Sequence, residues 1–299
     1  MTIQQLIYAV KVADVKSMRR AAAELYMSQP ALSSTIRNLE EELHTDLFIR
    51  SNKGILITPE GEEFLSYARQ MTELEKMIED RFSENKNSKK KFSVSMQHYS
   101  FAVEAFILLA KEFGMENYEF SVHETKTGEV IENVRNYRSE IGVLYLNSFN
   151  EKAMRKIFSE NDVVYTPLFK CGISVYLSKS HPLAEKSKIK FEELMPYPCL
   201  SFEQGEKNSF YYAEEVMSTA LYNQIIKADD RATMLNLMVG LNGYTLCSGI
   251  ICEALNGENY TSVPLDTEDT MEIGYIVRKG MSLSILGRKY LDLLKKYRP

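Results

Sequence analysis

The sequence lacks any long hydrophobic run, because nowhere do 18 or more apolar residues follow one another. A bilayer-spanning helix needs about 20 such residues, so we predict no transmembrane segment. The first 25 residues also lack the basic segment and apolar block of a secretory signal. The hydrophobic fraction of 44% and the charged fraction of 26% are ordinary for a globular protein. Since 299 residues exceed what one core usually serves, we expect a cytoplasmic protein with two or more domains.

Cysteine is scarce, and its pattern indicates neither a metal site nor a disulfide framework. No CxxC occurs, and no histidine stands at zinc-binding spacing. Free cysteines are among the most buried residues, so we expect buried thiols. A redox-sensing pair is the alternative; Cys247 and Cys252 are close in sequence but have no activating base beside them. The four cysteines are Cys171, Cys199, Cys247 and Cys252.

Catalytic signatures are absent as well. The sequence contains no glycine-rich phosphate loop, no GxSxG nucleophile motif and no HExxH metal motif. Its four histidines, His44, His98, His123 and His181, are far apart. We therefore expect neither an enzyme nor a resident metal or cofactor. We interpret His98 as a loop residue satisfied by hydrogen bonds.

The first 58 residues show the patterns of three short helices. Apolar residues at helical spacing predict an amphipathic helix over about residues 3–14. Ser17 is placed to cap a second helix over residues 18–26, and Ser28 to cap a third, because a serine hydroxyl accepts a hydrogen bond from a first-turn amide. Pro30 suits the first turn of the third helix, where an amide proton would have no intrahelical acceptor.

The third predicted helix has two contrasting faces. One face is an apolar stripe with the spacing of a buried surface, formed by Leu32, Ile36, Leu39 and Leu43. The opposite face carries small or hydrogen-bonding side chains and a single cation: Gln29, Pro30, Ser33, Ser34 and Arg37. Such a face fits closely into a DNA major groove and bonds to base edges and phosphates. We therefore predict that this is a recognition helix.

A hairpin is predicted after the third helix. Two short apolar segments, residues 47–50 and 55–57, flank a polar turn. Arg50 and Lys53 near its tip are placed to reach the DNA backbone or the minor groove. Three helices followed by a hairpin form a winged helix-turn-helix, which we assign to residues 1–58.

Residues 17–33 resemble the signature of the LysR-type transcriptional regulators, and the resemblance continues as far as Thr-Pro-Glu-Gly at residues 58–61. It implies that groove contacts come from Gln29, Pro30 and Ser33. It also implies that Ser28 and Arg37 bind phosphates and that Arg50 belongs to the wing.

Two positions depart from the family pattern. Ser34 stands where many members have arginine, and His44 stands where glycine commonly ends the helix. The first departure removes a cationic contact, so we expect other arginines to supply more of the affinity, namely Arg19, Arg20 or Arg37.

Residues 59–91 are predicted to form a long linker helix and a hinge. Thr58 is placed to cap a helix beginning at Pro59. Apolar residues then recur every three or four positions, at Phe64, Tyr67, Ala68, Met71, Leu74, Ile78 and Phe82. Such a stripe needs a partner, either its own domain or the same helix of a second subunit. We favour the second subunit, which the resemblance also supports, and therefore a dimer.

The hinge is polar and basic. Residues 83–91 read SENKNSKKK and are predicted to mark the domain boundary. The four lysines within residues 85–91 indicate a solvated linker in the first place and a phosphate-contacting tail in the second.

Residues 92–299 alternate short apolar strands with helical segments, which predicts an α/β domain with mainly parallel sheets. Helices are predicted over residues 208–220 and 231–240, among others. The resemblance implies a periplasmic-binding-protein-like effector domain of two α/β subdomains with a small molecule in the cleft. We place subdomain I at about 92–162 and 268–299 and subdomain II at about 163–267. The chain is expected to cross between them near 160–168 and 263–270.

Ligands of open α/β sheets bind beyond the carboxyl ends of strands, near helix N-termini. In the family, hydroxyl groups and helix-end amides there suit an anion, although ordinary helix capping is the open alternative for any single hydroxyl. The candidate effector-binding residues are Gln97, Tyr99, Ser100, Thr125, Thr127, Ser201, Phe202 and Thr233.

The sequence thus predicts a LysR-type regulator that binds double-stranded promoter DNA as a homodimer or homotetramer and responds to a small anionic metabolite. Residues 230–249 are similar to a Gram-positive, streptococcal-type branch linked to sulfur amino-acid metabolism. The nearest alternative is a thiol-based redox regulator. A solute-binding protein and an enzyme with an attached DNA-binding domain are the other classes that we considered.

Overall fold

The computed structural model describes residues 1–51, 54–82, 89–112, 118–205 and 209–299. The chain divides into two compact units, Met1–Ser88 and Lys89–Pro299. Of the predicted hinge over residues 83–91, residues 83–88 lie outside the described residues, and a strand already begins at Lys90. No helix in the described part of the chain is both long enough and apolar enough to cross a membrane.

The first unit contains three helices, a hairpin and a long fourth helix. In chain order these are α1 (Ile3–Val15), α2 (Met18–Glu24), α3 (Gln29–Leu43), β1 (Phe48–Ser51), β2 (Gly54–Ile57) and α4 (Pro59–Phe82). Serine hydroxyls cap the second and third helices as predicted: Ser17 accepts a hydrogen bond from the amide of Arg20, and Ser28 from that of Ala31. Strands β1 and β2 pair antiparallel. The unit is a winged helix-turn-helix followed by a linker helix.

The core of this unit is the apolar stripe of α3. Leu32, Ile36 and Leu39 are completely buried, and they pack with residues of α1, α2 and the hairpin. The helix ends at His44, whose backbone is left-handed with φ of 53°. Most helices that end this way use glycine, because a side chain is strained in this conformation. His44 therefore ends α3 in the left-handed conformation that glycine usually provides, although the residue differs.

The second unit contains two five-stranded sheets. We call the first sheet, with its helices, the first lobe; its order is β4-β3-β5-β12-β6. Its elements are β3 (Lys90–Met96), α5 (Ser100–Glu112), β4 (Tyr118–Glu124), α6 (Thr127–Arg135), β5 (Ile141–Leu146), α7 (Glu151–Glu160), β6 (Val163–Gly172), β12 (Thr270–Arg278) and α10 (Ile285–Leu294).

The second sheet and its helices form the second lobe, with the order β11-β7-β10-β8-β9. Its elements are β7 (Ser174–Ser178), β8 (Cys199–Phe202), β9 (Ile225–Ala228), α8 (Arg231–Leu241), β10 (Tyr244–Cys247), α9 (Glu253–Asn256) and β11 (Tyr260–Pro264). Both sheets are mixed. Strand β12 runs antiparallel to both of its neighbours, and β7 does the same in the second lobe.

The chain crosses between the lobes later than the sequence predicts. Strand β6 pairs with β12 along its whole length, up to Gly172 opposite Thr270, so residues 163–172 belong to the first lobe. The crossing therefore lies at Ile173, and the return lies between Pro264 and Thr270. The two connections are joined, because the Leu265 amide donates to the Ile173 carbonyl at 2.9 Å. Both residues are buried.

The helix predicted over residues 208–220 is not formed. Residue 208 lies outside the described residues, and the rest contains only a 3-10 helix at Phe210–Tyr212 and a turn over residues 216–219. The physical reason is that the backbone acceptors of this segment are used elsewhere. The Tyr145 hydroxyl, from β5 in the other lobe, donates to the carbonyls of Ala213 and Glu215, both at 3.1 Å.

Candidate functional site

The N-terminal half of α3 presents an open polar face. Gln29, Pro30, Ser34 and Arg37 are exposed and Ser33 is half-buried, while the apolar stripe on the other side is sealed in the core. These side chains can therefore contact a DNA major groove without any rearrangement of the fold.

Ser28 is exposed at the start of α3, where its hydroxyl oxygen accepts the Ala31 amide at 3.3 Å. The hydroxyl proton stays available to a phosphate oxygen. Capping and phosphate binding are therefore compatible roles for this one side chain.

Exposed cationic groups lie on both helices of the helix-turn-helix. Arg19 and Arg20 on α2 are exposed, as is Arg37 on α3, and none of the three forms an ion pair with the residues that the structure describes. The Arg50 backbone lies in β1 opposite Ile55. The Arg50 side chain and the whole of Lys53 lie outside the described residues. Three uncommitted guanidinium groups in this unit are thus available to the DNA backbone.

The second unit contains a pocket that is lined by residues of both lobes. A cleft between two lobes is a common position for a small-molecule site. The first lobe contributes the turn from β3 to α5 and Met271. The second lobe contributes Tyr176, Phe202, the Glu214–Glu215 pair, the first turn of α8 and the end of β10.

Three of the predicted effector-binding residues line this pocket: Tyr99, Ser100 and Phe202. Gln97 does not, because it is buried in a network of its own. Its amide nitrogen donates to the Thr127 hydroxyl at 2.6 Å, and its oxygen accepts from the Tyr99 hydroxyl at 2.8 Å. The oxygen also accepts the amide of Tyr145 at 3.2 Å. Gln97 thus anchors the turn that carries Tyr99 and Ser100.

The remaining predicted hydroxyl groups do not line the pocket. Thr125 donates to Glu129, and the Thr233 hydroxyl donates to the capping residue Asp230 at 2.7 Å. Thr127 is buried, and its amide donates to Gln204 at 3.1 Å. Ser201 is half-buried within β8. The structure therefore favours the capping alternative for Thr233 and a local hydrogen bond for Thr125.

Glu214 joins the two lobes at the pocket wall. Its Oε2 accepts the His98 amide at 2.9 Å and lies 2.8 Å from the His98 Nδ1. Its Oε1 accepts the Gln204 side-chain amide at 3.0 Å. The His98 ring stacks on Phe202 at 3.6 Å and is nearly parallel to it. His98 is thus a hydrogen-bonded loop residue that also closes one side of the pocket.

Glu215 is a pocket residue whose ionisation the fold perturbs strongly. Its side chain is buried, and its Oε1 accepts the Phe202 amide at 2.9 Å. Burial, with a smaller contribution from the neighbouring Glu214, raises the pKa of Glu215 to about 8. The carboxyl is therefore largely protonated at neutral pH in the empty pocket.

We expect the free energy of unfolding to decrease as pH rises from about 4.5 to about 8, and the variant E215Q to reduce this decrease. Because the folded pKa exceeds the ordinary value, the native protein holds a proton that the unfolded chain has already released. The slope contributed by Glu215 is about 1.4 kcal/mol per pH unit at most, and it vanishes above the folded pKa.

Urea denaturation at a series of pH values, followed by circular dichroism, measures this slope. Glu185→Gln is the control, since Glu185 is exposed in the same lobe and the variant changes the charge equally. Equal slopes in wild-type protein and E215Q would contradict the assignment.

The pocket lining also contains a phenol and a guanidinium. Tyr176 is buried, and its hydroxyl forms no hydrogen bond of ordinary length and angle with a described residue, although Asn256 lies near enough to interact with it. Arg231 forms an ion pair with Glu124 across the lobes and donates to Asn256 at 3.3 Å. Burial raises the pKa of Tyr176, so the hydroxyl keeps its proton and is a donor.

Sequence reasoning missed Tyr176, Glu214, Glu215 and Arg231. The adjacent acids were visible in the sequence, but the interpretation of their segment as a helix placed no site there. The only sequence signals that could have identified Tyr176 and Arg231 were their positions, in a predicted strand and at the start of a predicted helix.

The four cysteines are free, and none is activated. Burial raises the pKa of Cys171 to about 11 and those of Cys199, Cys247 and Cys252 to about 12. The thiolate is the form that oxidants attack, and these pKa values keep its population small at neutral pH. The structure therefore offers no support for the redox alternative.

A helix-turn-helix joined to a two-lobed ligand domain defines a ligand-responsive DNA-binding regulator. Residues 3–62 match the family model described as "Bacterial regulatory helix-turn-helix protein, lysR family", and residues 115–298 match "LysR substrate binding domain". Together the two matches cover most of the chain. The chain therefore belongs to the LysR family of transcriptional regulators, whose members bind promoter DNA and small-molecule effectors and form oligomers.

Individual relatives agree with this assignment. The HTH-type transcriptional regulator YbhD of Escherichia coli is 24% identical over 95% of this chain and 88% of its own length. The malolactic fermentation system transcriptional activator of Lactococcus lactis is 26% identical over 99% of this chain and 98% of its own length.

Two solved structures share the fold. A full-length OxyR variant from Pseudomonas aeruginosa is 18% identical, with a TM-score of 0.65 over 99% of this chain and 94% of that chain. Full-length CbnR in complex with its target DNA is 18% identical, with a TM-score of 0.63 over 99% of this chain and all of that chain.

Proposed function

We propose that this protein regulates transcription in the cytoplasm by placing α3 in the major groove of a promoter. Gln29, Pro30 and Ser33 would contact base edges, with Ser34 beside them. Ser28 and the arginines at positions 19, 20 and 37 would hold phosphates, and the wing residues Arg50 and Lys53 would contact the flanking DNA. The observation that carries this proposal is the exposed polar face of α3, together with three exposed arginines on α2 and α3 that form no ion pairs among the described residues. A face of small side chains and unpaired cations suits an anionic groove.

The active form would be a dimer formed through α4, alone or paired into a tetramer. Leu65 and Ala68 of this helix are buried in the first unit, but Tyr67, Met71, Leu74 and Ile78 remain 44–59% exposed. Their spacing of four, three and four residues is that of a coiled-coil seam. Two copies of α3 in one dimer can then read the two halves of a two-fold operator.

The effector would bind in the pocket between the lobes, with an anionic group on the Tyr176 hydroxyl and Arg231. Ser100 and Tyr99 would contact it from the other lobe. An unpaired buried donor beside a cation supports an anion at this position. The similarity of residues 230–249 to a branch linked to sulfur amino-acid metabolism supports genes of amino-acid or sulfur metabolism as targets.

Replacement of Arg37 by alanine is expected to weaken binding to operator and unrelated DNA alike. One lost phosphate contact should reduce the slope of log affinity against log salt by about one. Fluorescence anisotropy at several salt concentrations measures both quantities. Arg155→Ala, which removes an equal charge from α7 in the second unit, should leave the slope unchanged. An unaltered slope in Arg37→Ala would remove Arg37 from the DNA interface.

A further inference from the structure

The pocket lining combines an apolar part with polar side chains, most of which are hydrogen-bonded within the protein. Phe101, Met234, Leu235, Ile250, Ile251 and Met271 form the apolar lining. The polar groups that matter are those whose hydrogen-bonding capacity the protein leaves unused. A buried polar group without a partner is costly, so such groups indicate what a ligand supplies.

Glu215 is a buried acceptor without a charged partner. Its Oε1 accepts the Phe202 amide, and its own backbone amide also hydrogen-bonds the carboxyl, which leaves acceptor capacity for a ligand. The neighbouring Glu214 is different, since His98 and Gln204 satisfy both of its oxygens. Lys227, the cation whose charge acts on Glu215 from β9, forms its ion pair with Glu203 at 3.6 Å. No cation of the described chain contacts the Glu215 carboxyl.

The other titratable groups around Glu215 bring no positive charge. They are Glu214 on the same segment, Tyr145 on β5, Cys199 on β8 and Tyr222. All of these are acids, which are neutral or negative. A positively charged ligand group is therefore the missing partner of this carboxyl.

Tyr176 is the unused donor. Its hydroxyl is sealed from solvent and forms no hydrogen bond of ordinary length and angle with a described residue, although Asn256 lies near enough to interact with it, and the charge of Arg231 acts on it. Tyr176 lies on β7 and Glu215 lies on the segment that follows β8, so the pocket offers an acceptor and a donor on different elements.

From these two groups we infer that the ligand is zwitterionic, with a protonated amine on Glu215, a carboxylate on Tyr176 and an apolar portion between the lobes. A free amino acid with an apolar side chain is the simplest compound of this class. This inference rests on the proposed function, because it specifies the chemistry of the effector in the same pocket.

Binding of an amine cation requires the charged form of Glu215, so the carboxyl releases its proton when the complex forms. We expect the affinity for an amino acid to rise from pH 6 towards the Glu215 pKa of about 8 and then to level off. Calorimetry in two buffers of different ionisation enthalpy should show release of up to one proton at pH 7.

The experiment is a thermal-shift screen of the full-length protein with the proteinogenic amino acids, followed by calorimetry with matched analogues. For L-leucine the analogues are isocaproate, which lacks the amine, and isoamylamine, which lacks the carboxylate. For L-phenylalanine they are hydrocinnamate and phenethylamine. We expect at least one amino acid to bind and each truncated analogue to bind roughly tenfold more weakly or worse.

Two variants test which side chain binds the amine of the ligand and which binds its carboxylate. Glu215→Gln keeps an acceptor for the Phe202 amide but should remove the preference for the amino acid over its deaminated analogue. Tyr176→Phe should instead reduce the preference for the amino acid over its decarboxylated analogue. Each variant tests one of these two contacts independently, so the result of one is informative even if the other variant does not fold.

The inference is overturned if deaminated acids bind as tightly as amino acids, if Glu215→Gln leaves that ratio unchanged, or if no amino acid binds. Operator affinity in the presence of the small-molecule fraction of a cell extract is measured in parallel. A change in operator affinity without amino-acid binding would sustain an effector in the pocket and refute its zwitterionic nature. No change with any compound or extract would refute the effector function as well.

Discussion

Met71→Glu is expected to convert the protein to monomers and to lower its operator affinity by at least about 100-fold, because linked half-sites typically contribute that much. Met71 is 44% exposed on α4, in line with Tyr67, Leu74 and Ile78. In a dimer this position lies in the apolar seam, where a carboxylate would be desolvated opposite its own copy. The monomer keeps one recognition helix and binds only half of a two-fold operator.

Analytical ultracentrifugation measures the oligomeric state, and anisotropy with operator DNA measures the affinity. Lys76→Gln is the matched control, since it changes the charge by the same amount at an exposed position of α4 outside the stripe. Circular dichroism should show unchanged helix content in both variants. A dimer that persists in Met71→Glu at micromolar concentration would place the subunit interface elsewhere.

Gly61→Ala is expected to destabilise the first unit by roughly 1–3 kcal/mol, in the range of an overpacked core. Gly61 lies in the first turn of α4, where its amide donates to the Thr58 hydroxyl at 2.9 Å. A Cβ atom at this position would lie 2.3 Å from the backbone oxygen of Leu47 and 2.9 Å from the Ile57 side chain. The oxygen belongs to the backbone and cannot rotate away, so the helix and the hairpin would have to separate.

Gly240→Ala is expected to have the opposite effect, a small stabilisation. Gly240 lies near the end of α8, and a Cβ atom there would meet no atom within 4 Å. Alanine should therefore stabilise by roughly 0.5–1 kcal/mol through helix propensity alone. Calorimetry of both variants tests the contrast, and operator affinity should fall only for Gly61→Ala. If Gly61→Ala melts like wild-type protein, α4 does not need its close approach to the hairpin.

Much of the first unit could be predicted because its signals are local. The caps at Ser17 and Ser28 involve residues three positions apart, and the stripe of α3 repeats every three or four residues. The hairpin brackets a turn of a few residues. Resemblance to the LysR signature covers the same region, and the structure confirms a winged helix-turn-helix there. The predicted and observed structures agree here because each of these interactions joins residues that are only a few positions apart in the sequence.

The second unit shows the limit of such patterns. The sequence predicted an α/β domain of two subdomains, and the two sheets confirm that prediction. It missed α7 and β6 and placed the first crossing too early, since only the pairing of β6 with the distant β12 assigns residues 163–172 to the first lobe. No local signal identifies a strand partner about 100 residues away.

The sequence by itself determined the third helix of the helix-turn-helix, the linker helix and the family of this protein. Only the tertiary structure decided which residues line the pocket. The rule that ligands bind beyond the carboxyl ends of strands identified Tyr99, Ser100 and Phe202. It could not identify Glu214, which contacts His98 across 116 residues of sequence. Tyr176 and Glu215 both belong to the second lobe, and only the folding of that lobe brings their two elements to the same pocket. Burial and missing partners, which arise only in the folded chain, give these side chains their chemical significance.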